Sequence, residues 1–401
     1  MVESVAVIVD VAQIVIAAAL VLPCAVLLVE VLVAFVRRGG VGPSQHTATS
    51  SKRAILMPAH NEEAVIQATL TTLTSQLQPS DRLLVVADNC TDGTAEIARQ
   101  AGATVLERHN DQQRGKGYAL DFGLRHLSAD APDVVVMMDA DCQVKPGAID
   151  EIAHLALTTH RPVQATYLLE QSPEPSPKEM VSTFAFKVKN LVRPLGLRML
   201  NQPCLLTGTG MAFPWATLKD VDLASGNIVE DMKLGLDLAI AGHPPIMCPQ
   251  ALVTGDQPQQ DSTAITQRTR WEHGHLQTLL TCVPPLLWQS LKQGRIGLAA
   301  LALDLCIPPL SLLVMLWVAA AALVTASTLL LGTTWLPAMV LYVAGLSLFF
   351  AIGLAWGGFA QEDIPMGKLV SIPLYVLWKI PLYFKFLSGP ESQWIRTERD
   401  S

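Results

Sequence analysis

Two aspartates, Asp139 and Asp141, end the apolar run VVVMMDADCQV at residues 134–144. Along a strand the side chains at i and i+2 share a face, so this pair sets two like charges side by side at the rim of an apolar core. A divalent cation is the inexpensive way to keep both ionised, and hard oxygen ligands suit Mg2+ or Mn2+. Such ions take few protein ligands and leave positions for a diphosphate. The competing reading is a strand-end turn with solvated aspartates.

Other polar clusters bear on that choice. DNCTDGT (88–94) sets Asp88 at the end of a neighbouring strand, where it can accept a hydrogen bond from a base edge, and offers Thr91 or Asp92 as a helix cap. RGKGYAL (114–120) supplies Arg114 and a glycine-flanked Lys116 near a helix start, an anion-contacting loop by composition. TGTG (207–210) is no dinucleotide fingerprint, because Phe213 takes the final glycine position. IVEDMKLGLDLA carries Glu230 and Asp231 to the head of a helix, where acids also simply suit the helix dipole. QRTRWEHG (267–274) combines Gln267 and Arg270, which can hold phosphate oxygens, with Trp271, whose indole can stack on a sugar face. An interfacial Arg/Trp anchor is the alternative for that cluster.

Positioning these groups requires a rigid frame, and short β-branched runs alternating with helical stretches supply one. Strands are expected at 54–58, 82–88, 103–107 and from 134, with helices over 61–77, 92–101 and 115–127. That order implies a parallel, doubly wound α/β sheet, whose ligands bind at the carboxyl ends of the strands. Three strands end in polar clusters: PAHNEE, DNCTDGT and DAD. Residues 172–178, SPEPSPK, form a proline-rich loop; 203–213 reads as strand-like and 228–241 as helical.

Half of the 401 residues are apolar and only 16% are charged, below the ~25% usual for soluble proteins. The excess sits at the two ends. Val11 to Val36 is apolar apart from Gln13 and Glu30, long enough to span a bilayer, and Arg37 and Arg38 follow, which by the positive-inside rule places the next block in the cytoplasm. The acids Glu3 and Asp10 and the length of the stretch argue for an uncleaved anchor over a signal peptide. Residues 37–53 read as a polar linker, 276–295 as an interfacial helix, and 310–331 and 335–357 as spans. The piece 369–388 carries Lys379 and Lys385 and precedes Arg396 and Arg399, so it is expected to lie in the interface with a cytoplasmic tail, and Asp304 is read as interfacial. Seven scattered cysteines without a CxxC spacing suit reduced thiols. A net charge of -7 without a basic stripe argues against nucleic acid as a partner.

Taken together and in this order, PAHNEE, Asp88, the Asp139/Asp141 pair, the Glu230-Asp231 pair and the QxxRW residues resemble family-two glycosyltransferases of the GT-A (Rossmann-like) fold. The likeness is to the membrane-embedded branch of cellulose, chitin, hyaluronan and poly-N-acetylglucosamine synthases and ceramide glucosyltransferases, and covers about residues 50–290. It implies an anchor over 1–38, a cytosolic catalytic domain over 50–275, an interfacial helix over 276–295 and membrane or interfacial helices over 296–401, in an integral inner-membrane protein. By that resemblance Ala59, Glu62 and Asp88 line the nucleoside, Lys116 and Asp139 contact the nucleotide, and Asp139 and Asp141 serve Mg2+ or Mn2+, with Asp141 the ligand on the diphosphate. Gly208 and Thr209 border the donor sugar, Gln267 and Arg270 hold the diphosphate, Trp271 floors the acceptor entrance, and Asp231 is the general base of an inverting transfer. The expected donor is a UDP-sugar, and the acceptor a surface polysaccharide or oligosaccharide or else a membrane lipid. Two departures bear on donor identity: IVED stands where the cellulose enzymes have a threonine before the base, and TGTG replaces their Cys-Gly-Ser finger. A transporter, the rival from another class, sits poorly with about 240 consecutive residues of soluble-type pattern.

Overall fold

The computed structural model describes residues 2–37, 51–219, 221, 223–224, 229–257 and 261–389. Eight strands form one sheet: β1 Arg53–Ala59, β2 Arg82–Asp88, β3 Thr104–Arg108, β4 Val134–Met137, β5 Cys142–Val144, β6 Val163–Glu170, β7 Met211–Pro214 and β8 Ile246–Asp256. Their order is β3-β2-β1-β4-β7-β6-β8-β5. The first half is the parallel, crossover-connected sheet that the alternation implies, with β2 on β3, β1 on β2 and β1 on β4 all parallel. In the second half the expected doubly wound pattern gives way. There β7 runs antiparallel to β4 and β6, and β8 antiparallel to β5.

Alternate residues of the central strands serve opposite faces. Ile55, Met57, Val85, Val134 and Val136 pack in one core, and Ala54, Leu56, Leu84, Val86, Val135 and Met137 in another. A strand covered on both faces must be apolar throughout, which accounts for the unbroken runs in the sequence. Strand order reverses direction between β1 and β4, so the segments after Ala59 and after Met137 flank the crevice where such sheets bind ligands.

Two expected elements are shorter than their sequence pattern. The helix read over 61–77 is Ile66–Thr74, because Asn61 sits at φ 53° and residues 60–65 form a loop. The strand read over 203–213 is only Met211–Pro214. Gly208 and Gly210, at φ 91° and 64°, turn the chain just before it, and at Gly210 any Cβ would lie 2.9 Å from Val253.

Among the described residues four helices are long and apolar enough to cross a membrane: Val7–Arg37, Leu310–Leu331, Leu336–Phe359 and Met366–Ser388, with mean hydropathies of 2.8, 2.2, 2.2 and 1.3. The last corresponds to the piece expected to be interfacial. It divides at Lys379 into the helices Ile372–Trp378 and Ile380–Ser388, and Lys379 turns inward to pair with Glu272. One of the charges that argued for an interfacial position is therefore neutralised inside the protein. Most of the linker (38–50) and the tail arginines Arg396 and Arg399 lie outside the described residues.

Asp304, expected at the membrane interface, is buried among protein groups. It is 4% exposed and shares Arg193 with Glu30: Arg193 Nη2 donates to Asp304 Oδ1 at 2.5 Å, and Arg193 Nε lies 3.3 Å from Glu30 Oε2. This triad fastens the N-terminal helix to the helices Arg193–Met199 and Ile296–Leu305. At Gly196 the two backbones touch so closely that a Cβ would sit 2.1 Å from the Glu30 carbonyl oxygen. Removing one member of a buried ion cluster leaves uncompensated charge. Arg193→Met is therefore expected to destabilise the detergent-solubilised protein by about 3 to 5 kcal/mol, read as a lowered thermal midpoint.

Candidate active site

The crevice beside β1 and β4 opens into one cleft of about 340 Å³. Ala59, Glu62, Asp88, Lys116, Asp139, Asp141, Gly208, Asp231, Gln267, Arg270 and Trp271 all line it. Strand ends deliver the first group. Beyond β4 the residues Met138, Ala140 and Cys142 continue into the core, which leaves Asp139 and Asp141 on the cleft side even though regular strand structure stops at Met137. Because β7 is antiparallel to β4, with Met137 opposite Met211, the TGTG turn that leads into β7 arrives beside Asp139.

Thr209 is placed elsewhere. It is fully buried and does not line the cleft; its Oγ1 accepts the Asp139 N–H at 3.0 Å and faces Met138 Sδ at 3.3 Å. Its place is behind the metal-type pair, fixing the Asp139 backbone, and not against a sugar.

Opposing charges crowd the centre. Lys116 Nζ pairs with Asp139, donates to the Gly208 carbonyl at 2.7 Å and lies 3.8 Å from Glu230. Burial disfavours its charge, but Asp139 and Glu230 outweigh burial and hold the ammonium protonated. Burial raises Asp139, Lys116 pulls it down again, and Asp141 pushes it up. Glu230 and Asp231 open the helix Glu230–Ile240. Burial pushes Glu230 up to about 7 against the pull of Lys116, and Asp231 is raised by burial while Lys116 and the Met232 N–H oppose. Residues 225–228, the last of which, Ile228, begins the IVED departure, lie outside the described residues.

Gly208 brings the backbone against the base candidate: a Cβ there would lie 3.2 Å from Asp231 Oδ2, at a φ of 91°. Gly208→Ala is expected to cost about 1 to 2 kcal/mol of stability. Steady-state kinetics should also show a larger loss in kcat than in donor KM, because the new methyl group displaces Asp231.

The two strand-end loops brace each other. The Thr91 N–H donates to Asn61 Oδ1 at 2.7 Å, the Glu62 N–H to Thr94 Oγ1 at 2.8 Å, and the Gly93 N–H to Glu63 Oε2 at 2.8 Å. Asp92 Oδ1 accepts the Thr94 N–H at 3.1 Å, although the N-cap position of the helix Thr94–Gln100 belongs to Gly93 and not to either expected capping residue, Thr91 or Asp92. From the other side the helix Asp261–Gln293 presents Gln267, Arg270 and Trp271, three and four residues apart on one face, with Trp271 tilted 5.6 Å from Phe186. That helix runs on without a break through residues 275–276.

The chain matches the family model described as "Glycosyltransferase like family 2" over residues 52–274, more than half of its length. It belongs to that family. Among curated proteins it is 25% identical over 272 residues to the Bacillus subtilis protein "Probable glycosyltransferase YdaM", covering 61% of this chain and 60% of that protein. It is 32% identical over 100 residues to the 4,4'-diaponeurosporenoate glycosyltransferase of Staphylococcus haemolyticus, covering 24% of this chain and 26% of that protein. The chain thus spans under two thirds of the length of either relative. Among solved structures, the mannosyltransferase PcManGT from Pyrobaculum calidifontis, in complex with GDP-Man and Mn2+, superposes with a TM-score of 0.54 at 18% identity, covering 91% of this chain and 99% of that one. The sheet is accordingly of the GT-A type, with apolar helices on both sides of the family-2 domain in sequence.

The donor set of this family-2 glycosyltransferase fits a hard divalent cation. Oxygens of Asp139 and Asp141 and the Cys142 sulfur lie within 4.8 Å of one another. Burial pushes the Cys142 thiol well up, and its side chain packs in the core, so the carboxylates alone are suited ligands.

Several residues that build the site were not legible in the sequence. Arg108 Nη1 donates to Asp88 Oδ1 at 2.6 Å, so the carboxylate expected to read a base edge is held by an arginine directly opposite it on β3. Lys189, Asn190 and Lys379 line the cleft from segments that carry no family motif, and His275 lines it one turn past Trp271. The signal that existed for Lys189 and Asn190 was a polar pair amid apolar residues. In the structure they occupy a π-helical turn, Val188–Val192, a geometry common at functional sites.

Proposed function

We propose that this protein transfers a sugar, with inversion, from a nucleotide-sugar to an acceptor at a membrane. The observation that carries this reading is the single cleft shared by Asp139 and Asp141 with Asp231, Gln267, Arg270 and Trp271. Ala59, Glu62 and Asp88 border the nucleoside, Lys116 the nucleotide and Gly208 the donor sugar. Asp139 and Asp141 hold Mg2+ or Mn2+, which when bound supplies positive charge against the diphosphate. GDP-Man and Mn2+ in the PcManGT complex support the ligand class, and a UDP-sugar remains the expected donor.

In the transfer step the acceptor oxygen bonds to the anomeric carbon from the face opposite the diphosphate. The anomeric carbon–oxygen bond breaks, and its electron pair leaves with the diphosphate. Asp231 takes the acceptor hydroxyl proton on a carboxylate oxygen, while Gln267 and Arg270 donate hydrogen bonds to the departing oxygens. Trp271 floors the acceptor entrance.

The acceptor expected from the resemblance is a surface polysaccharide or oligosaccharide. A membrane lipid is the second reading, and a specific feature favours it: the cleft is also lined by Leu27 and Leu310, from helices at the membrane-spanning ends of the chain, and by Ile307, in the connection between the helices Ile296–Leu305 and Leu310–Leu331. The anchor, the three further apolar helices and the basic Arg37 support an inner-membrane protein whose catalytic domain faces the cytoplasm, with 276–295 at the membrane interface. The test is to supply membranes containing the protein with labelled UDP- and GDP-sugars. Label entering a polymer or lipid fraction supports the reading, and its absence from both with every donor overturns it.

A further inference from the structure

The turn of helix that carries Arg270 and Trp271 is gripped by side chains from more than a hundred positions away. Glu272 pairs with Lys379, and Glu272 Oε2 accepts the Tyr383 hydroxyl at 2.6 Å. The Ser311 hydroxyl lies 2.8 Å from the Tyr383 oxygen, and Lys379 Nζ stands 5.1 Å from the centre of the Tyr375 ring. His273 adds a second hold. Its Nε2 lies 3.1 Å from the Leu382 carbonyl oxygen, and its ring meets that of Phe386 edge-on at 5.1 Å. Both holds are supplied by the helices Ile372–Trp378 and Ile380–Ser388 and the lysine between them.

Lys379 stands near the middle of the apolar stretch Met366–Ser388 and is 4% exposed. A lysine in such a stretch is costly and points to function, and its partner says which one. Glu272 lines the cleft directly after Trp271, and Lys379 lines it as well. Two residues further along the same helix, Gly274 meets Val229 so closely that a Cβ would lie 2.6 Å from Val229 Cγ1. Val229 is the residue before Glu230 and Asp231 at the head of their helix. One turn of helix therefore joins the C-terminal helices, the diphosphate-holding groups and the segment that leads into the base.

We propose that Lys379 and Tyr383 are positioning residues of the active site, holding Glu272 so that Arg270 and Trp271 keep their place in the cleft they share with Asp231. The inference rests on the sugar-transfer reading above. Both residues act through Glu272, and displacing a substrate-holding group by about 1 Å can cost about 10²-fold in rate.

The test uses the full-length protein in phosphatidylcholine nanodiscs, combining steady-state transfer from the nucleotide-sugar it consumes with hydrogen exchange of the same samples. Lys379→Met and Glu272→Gln should each lower kcat by about 10- to 10²-fold with donor KM within about threefold, because Arg270 acts on the departing oxygens. Backbone amides of residues 265–274 should exchange at least about tenfold faster, while those of β1 and β4 keep the parental rate. The double variant should be within about twofold of the slower single one, since both substitutions release the same grip. Tyr383→Phe, which loses one hydrogen bond, should lower kcat by about threefold to tenfold. A cooperative thermal transition identifies the folded variants; if Lys379→Met lacks one, Glu272→Gln and Tyr383→Phe decide. Faster exchange with a parental kcat would make the grip merely structural and overturn the proposal. Unchanged exchange over 265–274, or losses that multiply in the double variant, would overturn it too. If the unaltered protein consumes no nucleotide-sugar, the sugar-transfer reading itself falls, and hydrogen exchange still reports whether the grip exists.

Discussion

Asp231→Asn is expected to lower kcat by about 10²- to 10⁴-fold while leaving nucleotide affinity within about twofold, because a general base acts on the acceptor and not on the donor. The asparagine keeps the size of the side chain at the head of the helix Glu230–Ile240 and removes only its capacity to hold a proton. The pH profile gives a second reading of the same residue. A raised carboxyl must ionise before it can accept a proton, so activity should fall as pH drops, with an acid limb above the ordinary carboxylate range of about 4. That limb should disappear in the residual activity of Asp231→Asn. A variant that turns over near the parental rate, or keeps the limb, would take Asp231 out of this role.

Chelation is expected to have an effect of similar size. EDTA should stop turnover, and added Mn2+ or Mg2+ should restore it. A bound divalent ion supplies several kcal/mol against the charge of the departing diphosphate, equivalent to roughly 10²- to 10³-fold in rate. Asp141→Asn should raise the metal concentration needed for half-maximal activity, whereas Asp88→Asn, whose carboxylate is already held by Arg108, should leave it unchanged. Full activity in chelator would contradict the reading of the Asp139/Asp141 pair.

What could be read in the chain ahead of its coordinates was local. The alternation Met138-Asp139-Ala140-Asp141-Cys142 announces two acids on one side and a core on the other, and the core does contain Met138, Ala140 and Cys142. The spacing of Gln267, Arg270 and Trp271 likewise fixes one helical face without reference to anything else. What escaped depends on pairings between distant segments. Arg108 matters only because the β2–β3 register sets it opposite Asp88. Lys379, read as an interface charge, finds Glu272 across 107 positions of sequence, and Asp304 finds Arg193 across 111. The antiparallel half of the sheet was hidden for a related reason. β7 has only four residues, and its direction is set by the glycine turn before it and not by any periodicity of its own.

The proposed transfer makes a stereochemical commitment, because attack from the side opposite the diphosphate inverts the anomeric carbon. The most direct measurement is the anomeric configuration of the glycosidic bond in the isolated product, read by proton NMR, using whichever α-linked UDP- or GDP-sugar the protein consumes. The account predicts the β-anomer. Formation of the α-anomer would contradict it, since retention needs either a covalent intermediate or attack from the leaving-group side, and Asp231 as the acceptor's base would serve neither.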